Sequence, residues 1–136
     1  TNLGDYNIHF LTWSNLSATS AETNTTFRVS NDGGSSYVSS GYKHAGYFQR
    51  VSSPLETRSS SADYMGFANN LFTGVSGNGF VYFYNLLEDS KFSYNTEFGG
   101  AILPTAEAHN ALQVTCNTDS FTAGATVSLY GIREYT

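Results

Sequence analysis

The chain has 136 residues, a length that fits one folded domain, and we expect that domain to span residues 1–136. Charged residues make up only 12% of the chain, the formal net charge is −5, and the six lysines and arginines are scattered, which argues against binding to nucleic acid or to an anionic membrane. The 15% aromatic content argues against intrinsic disorder, and no apolar run approaches the roughly 20 residues that cross a bilayer.

Apolar and polar residues alternate along most of the chain, which is typical of β-strands, whereas the three-to-four spacing of a helix is almost missing. The alternation predicts eight or nine strands and therefore an all-β fold, either an antiparallel β-sandwich or a jelly roll. In chain order the predicted strands cover residues 6–13, 25–30, 42–51, 63–68, 79–85, 92–98, 101–103, 110–117 and 126–132.

Turn-forming residues predict the connections between these strands. An exposed loop is predicted between Ser52-Ser53-Pro54 and Ser59-Ser60-Ser61, and a second one over residues 69–78. Pro104 is expected to end the strand before it, because proline has no N–H to donate to a neighbouring strand. Residues 105–108 allow one helical turn and no more.

The segment Asn31-Asp32-Gly33-Gly34-Ser35-Ser36 is a strong turn signal. A calcium loop would need several oxygen ligands at defined spacing and usually a bidentate glutamate. Asp32 stands alone among neutral neighbours, so a hairpin turn is the better interpretation.

The sequence offers little for catalysis or for metal binding. Cys116, the only cysteine, is predicted to be a small buried residue on a strand. His9, His44 and His109 lack the close spacing to other ligands that a zinc site needs. The carboxylates are scattered, so a glycan hydrolase would require the fold to bring two of them together. We predict no catalytic, cofactor or metal site, and no enzymatic activity.

Two segments carry a resemblance to a known class of proteins. One runs from Phe27 through the Asp32-Gly33-Gly34-Ser35 turn to Tyr37, and the other is the closing segment 121–133, which contains Leu129-Tyr130-Gly131-Ile132-Arg133. In this order, with a strand like 80–85 between them, they resemble small β-sandwich domains of tailed-phage structural proteins. The resemblance implies a jelly-roll-like sandwich on the outside of a virion, in capsid decoration or in tail fibres and tips, and frequently trimeric.

We therefore expect a non-enzymatic structural protein of a tailed bacteriophage, located on the outer surface of the capsid or tail, that packs against other virion proteins as a homotrimer. Tyr82, Tyr84 and Tyr130 are the expected interface residues, because apolar or aromatic groups occupy both faces of their strands. The alternative is a lectin-like carbohydrate-binding module in which Trp13 contacts a glycan. Adhesion to a host-surface glycan also stays open for the structural protein. No cofactor is expected.

Overall fold

Every regular element in the described part of the chain is a β-strand. The computed structural model describes residues 3–19, 23–48, 55–71, 74–96 and 99–135. The predicted loop residues Ser52-Ser53-Pro54, and the predicted strand ends 49–51 and 97–98, lie outside the described residues. The strands are β1 (Ile8–Leu16), β2 (Thr23–Ser30), β3 (Tyr42–Phe48), β4 (Leu55–Ala62), β5 (Met65–Leu71), β6 (Gly77–Tyr84), β7 (Phe92–Thr96), β8 (Gly99–Ala106), β9 (Ala111–Cys116) and β10 (Thr126–Ile132).

The strands form two antiparallel sheets that enclose one hydrophobic core. The larger sheet has seven strands in the order β10-β1-β6-β7-β8-β3-β4, and the smaller one has three in the order β5-β2-β9. The first and last strands are neighbours, with Ile8 opposite Ile132 and Ser14 opposite Thr126. This architecture confirms the predicted all-β antiparallel sandwich. Among the described residues, no helix is long and apolar enough to cross a membrane.

Strand β4 runs through residues that the sequence analysis assigned to an exposed loop. Among the described strands it pairs with β3 alone, with Glu56 opposite Tyr47 and Ser59 opposite His44. An edge strand does not need a row of apolar residues on each face, and polar residues on it discourage pairing with other chains. The serine-rich sequence of β4 therefore gave no strand signal, and the described residues form ten strands.

Strand β8 continues through Pro104 to Ala106, so the prediction that this strand ends before Pro104 is wrong. Its register with β7 shifts between Phe92 and Ser93, and Pro104 stands at this irregularity, where no ladder hydrogen bond is lost. The helical turn predicted over residues 105–108 is not formed, because its first two residues belong to β8. The loop predicted over 69–78 is shorter at both ends, since β5 reaches 71 and β6 begins at 77.

The turn at residues 31–36 is present, but it does not close a hairpin. It leaves β2 in the smaller sheet and leads to β3 in the larger one. Asp32 organises the turn by accepting hydrogen bonds from the Ser30 hydroxyl at 2.7 Å, from the Ser36 hydroxyl at 2.6 Å and from the Ser36 N–H at 2.9 Å. These bonds, those from Ser36 above all, hold the pKa of the Asp32 carboxyl well below its usual range.

The core between the sheets is built on aromatic contacts. The Phe27 ring centroid lies 5.2 Å from that of Phe83 and 6.2 Å from that of Trp13. Cys116 is buried at the edge of this cluster, as predicted. Burial, with a smaller contribution from Asp119, raises the pKa of its thiol to about 11, so the reactive thiolate is not formed at neutral pH.

Tyr42 joins β3 to the strand and loop that precede it. Its hydroxyl accepts the N–H of Val29 at 3.1 Å and donates to the carbonyl oxygen of Val38 at 3.1 Å. The side chain is fully buried, and this burial raises its pKa to about 12. The hydroxyl therefore remains a neutral donor and acceptor throughout the physiological pH range.

Replacing Tyr42 with phenylalanine is expected to lower the free energy of unfolding by about 2 kcal/mol, because it leaves the buried N–H of Val29 without a partner. Urea unfolding measures the change. Tyr47→Phe is the matched control, since Tyr47 on the same strand is 53% exposed, and it should change stability by less than about 0.5 kcal/mol. Equal stabilities of the two variants would show that the Tyr42 hydroxyl does not hold these segments together.

Candidate functional site

Aromatic side chains cover the outer face of the seven-stranded sheet, on the side away from the smaller sheet. Strand alternation places them there. In β6, Val81 and Phe83 are fully buried in the core, so Phe80, Tyr82 and Tyr84 point outward.

The register of the neighbouring strands joins these rings into one patch. Phe10 of β1 stands opposite both Tyr82 and Tyr130. Its ring centroid lies 4.8 Å from that of Tyr82 and 6.3 Å from that of Tyr130, and Tyr84 stacks on Tyr94 of β7 at 4.8 Å. We call this set the aromatic face; its members are Phe10, Phe80, Tyr82, Tyr84, Tyr94 and Tyr130.

The aromatic face is accessible and uncharged. Phe80 and Tyr130 are each 54% exposed, and the other members are half-buried. The residues beside them on β1 and β10 are uncharged as well: Ile8, Thr12, Ser128 and Ile132. A contiguous apolar patch of this kind is typical of a surface that another molecule covers.

All three predicted interface residues, Tyr82, Tyr84 and Tyr130, lie on this face. They come together because β1 pairs with both β6 and the edge strand β10, which are far apart in the sequence. The sequence-based prediction did not include Phe10, Phe80 and Tyr94 among the interface residues. The apolar residues on both faces of β1 were the available signal for Phe10.

Trp13, the residue predicted to contact a glycan in the alternative function, does not lie on the aromatic face. It is 3% exposed, packs against Phe27 and covers Gly79. A sugar stacks on an accessible ring face, which Trp13 does not offer. The reason is the alternation of β1, which turns Phe10 outward and both Leu11 and Trp13 inward.

A second cluster, Ser93, His109 and Glu107, contains the residue types of a nucleophilic triad. The imidazole Nδ1 lies 2.8 Å from Ser93 Oγ, and Nε2 lies 3.1 Å from Glu107 Oε1. Both Ser93 and His109 have no exposed surface. The hydroxyl therefore has no path to a substrate, and the cluster does not support nucleophilic catalysis.

A cleft of about 510 Å³ lies between residues 4–7 and 132–134. The two carboxylates that line it, Asp5 and Glu134, are exposed, and Glu134 Oε2 accepts a hydrogen bond from Asn7 Nδ2 at 3.0 Å. The acid of a glycosidase needs an apolar, buried setting that raises its pKa. The cleft does not provide that setting. Among the residues that the structure describes, no group of three or more His, Cys, Asp or Glu side chains is placed to hold a metal ion.

Comparison of the chain with protein-family models, with curated proteins and with solved structures gave no match. In the part of the chain that the structure describes, the aromatic face is a broad accessible surface that the packing of the core does not explain.

Proposed function

We propose that this chain is a non-enzymatic structural domain that assembles with further copies of itself through the aromatic face, as a homotrimer on the outer surface of a virion. The observation that carries the proposal is the set of six contacting aromatic rings on an uncharged sheet face. Covering such rings removes apolar surface from water, which stabilises an assembly by roughly 25 cal/mol for each Å² buried. Tyrosine adds contact area at a small cost in side-chain entropy.

The distribution of charge favours another copy of this chain as the occupant. A net charge of −5 would oppose self-association if carboxylates lay on the contact surface. None lies on the aromatic face or among its neighbours on β1 and β10, so copies can meet there without like charges facing each other. The charged residues of the same sheet lie at its other end, on β3 and β4: Lys43, Glu56 and Arg58.

The exposed edge strand β10 also favours another copy of this chain as the partner that covers the aromatic face. Among the described strands, β10 pairs only with β1, and it carries Tyr130. A free edge presents backbone N–H and C=O groups that another strand can pair with. An edge and an aromatic surface side by side suit a heterologous contact, in which the aromatic face of one copy meets the neighbouring edge of the next and three copies close into a ring.

The virion setting rests on the resemblance of segments 27–37 and 121–133 to tailed-phage sandwich domains. In that setting the domain decorates a capsid or forms part of a tail fibre or tip, and packs against other virion proteins. A domain whose role is to pack has no need for a nucleophile or a metal. The alternative role, a carbohydrate-binding module, has less support, because Trp13, its predicted glycan contact, is buried in the core.

The test is the oligomeric state in solution, measured by sedimentation velocity at micromolar concentration. The wild type is expected to be a trimer, and the double variant Tyr82→Ser/Tyr130→Ser a monomer. A hot-spot tyrosine contributes about 2 kcal/mol or more, which is roughly thirty-fold in the association constant. Tyr47→Ser is the matched control, since Tyr47 is equally exposed on the same sheet but lies outside the aromatic face, and it should remain trimeric.

Urea unfolding of the double variant shows whether its core is intact. A monomeric wild type, or a folded double variant that remains trimeric, would overturn the proposed assembly.

A further inference from the structure

His109 connects separate segments at one end of the sandwich. It lies between β8 and β9, and its backbone N–H donates to the carbonyl oxygen of Leu86 in the β6–β7 connection. Its imidazole contacts Ser93 on β7 through Nδ1 and Glu107 through Nε2. The β8–β9 segment is therefore fastened to the β6–β7 region through one buried residue.

The residues on either side of His109 extend this connection to the β2–β3 loop. Glu107 Oε2 accepts a hydrogen bond from Asn31 Nδ2 at 3.1 Å, and Asn110 Oδ1 accepts one from the N–H of Gly33 at 2.8 Å. The Asn110 side chain also donates to the carbonyl oxygen of Asn31 at 3.3 Å. We call residues 107–110, with these partners, the His109 latch.

The hydrogen-bond partners determine which ring nitrogen of the neutral imidazole carries its hydrogen. The ionised carboxylate of Glu107 can only accept, so Nε2 carries the hydrogen. Nδ1 then accepts the hydrogen of the Ser93 hydroxyl. Adding a proton at Nδ1 displaces that hydrogen bond and places a positive charge on a ring that has no exposed surface.

Two effects on the charged imidazole oppose each other. Burial disfavours it, whereas Glu107 favours it. The Glu107 side chain is 33% exposed, so solvent screens part of its negative charge. It also accepts a hydrogen bond from Asn31, which stabilises that charge without the imidazole. Burial is therefore the stronger effect, and it lowers the pKa of His109 below the ordinary value.

Several other charged groups on the surrounding elements have partners of their own, and Asp89 on the β6–β7 connection is exposed to solvent. On the β6–β7 connection, Glu88 and Lys91 lie 3.8 Å apart. On the β2–β3 loop, Asp32 is held by the hydroxyls and the N–H of its own turn. On β2, Arg28 pairs with Asp63 at 3.0 Å. Glu107 is thus the charged group that acts on the His109 ring.

We propose that the His109 latch is sensitive to protonation: it is closed at neutral pH and opens locally below about pH 6.5, because a proton on the buried Nδ1 displaces the hydrogen bond from Ser93. In the opened state the imidazole titrates near its ordinary value of about 6.5. The stability of the closed latch is fully present above that pH and is lost as the pH falls below it. One proton changes the opening constant by up to about tenfold for each pH unit, until the closed state also titrates. This property is separate from the proposed assembly, since no latch residue belongs to the aromatic face.

The test is native-state hydrogen exchange of the His109 and Asn110 amides, followed by NMR from pH 7.5 to 5 and corrected for intrinsic exchange. Both amides are hydrogen-bonded, to Leu86 and to Ser30. Their protection is expected to fall by several-fold, and at most about tenfold, between pH 6.5 and 5.5. The amide of Val29, bonded to the Tyr42 hydroxyl in the core, should keep its protection and serves as the internal control.

His109→Gln retains a donor and an acceptor but cannot titrate, so its protection should not depend on pH in this range. Wild-type protection that stays constant or rises on acidification would overturn the latch, as would an unchanged pH dependence in His109→Gln. Should that variant fail to fold, the NMR titration of the wild-type imidazole decides, since a measured pKa of 6.5 or more is incompatible with the proposal.

Discussion

Replacing Trp13 with alanine is expected to lower the free energy of unfolding by about 3–5 kcal/mol, the cost of removing a large buried aromatic side chain from a packed core. Trp13 is almost completely buried, packs against Phe27 and fills the space over Gly79. Local adjustment is not expected to close the cavity, because β1 is hydrogen-bonded to strands on both sides. Guanidinium chloride unfolding of the wild type and the variant measures the loss.

Tyr135→Ala is the control for this prediction. It also removes an aromatic ring, but Tyr135 is 91% exposed, so stability should change by less than about 0.5 kcal/mol. A Trp13→Ala protein as stable as Tyr135→Ala would place Trp13 outside the core. Any glycan binding that disappears in Trp13→Ala would have to be separated from unfolding before it could be assigned to the tryptophan.

Introducing valine at Gly79 is expected to cost about 3 kcal/mol, at the upper end of the usual range for overpacking a core. Gly79 stands opposite Trp13 in the β1–β6 pair, and a Cβ atom there would lie 2.2 Å from the indole Cζ2. The indole is rigid and enclosed, and β6 lies inside the seven-stranded sheet between β1 and β7. Neither side of the contact has room to move away.

The contact itself can be tested with a double-mutant cycle. Gly79→Ala should cost less in a Trp13→Leu background than in the wild type, because the smaller side chain leaves room for the new methyl group. Gly100→Ala on β8 is the matched control, since a Cβ there meets only an ordinary contact at 3.7 Å from Asn95 O. Additive effects of the Gly79 and Trp13 substitutions would show that the indole does not occupy this space.

These substitutions and those on the aromatic face address opposite sides of the same strands. On β6, Val81 and Phe83 stabilise the sandwich, whereas Tyr82 and Tyr84 contribute rings to the outer surface. Core variants should therefore lower stability, and outer-face variants should change assembly. This separation allows the proposed function to be tested in a folded protein.

The amino-acid sequence by itself determined the all-β class and the sides of individual strands. Side-chain direction alternates within a strand, so the sequence of β6 was enough to separate Tyr82 and Tyr84 from Val81 and Phe83. The turn at Asp32 was equally local, because the serines that donate hydrogen bonds to its carboxylate lie within four residues of it. Strand β4 was missed because its polar sequence carries no apolar alternation, and hydrogen bonds to β3 hold it instead.

Only the tertiary structure decided which side of each strand is covered. Strand β1 is apolar on both sides, and the position of the smaller sheet placed Trp13 in the core and Phe10 on the surface. Tertiary structure also joined Ser93 to His109, and Phe10 to both Tyr82 and Tyr130. Burial and pairing between distant strands depend on how the sheets pack, and alternation along one strand contains no information about the strand that will lie beside it.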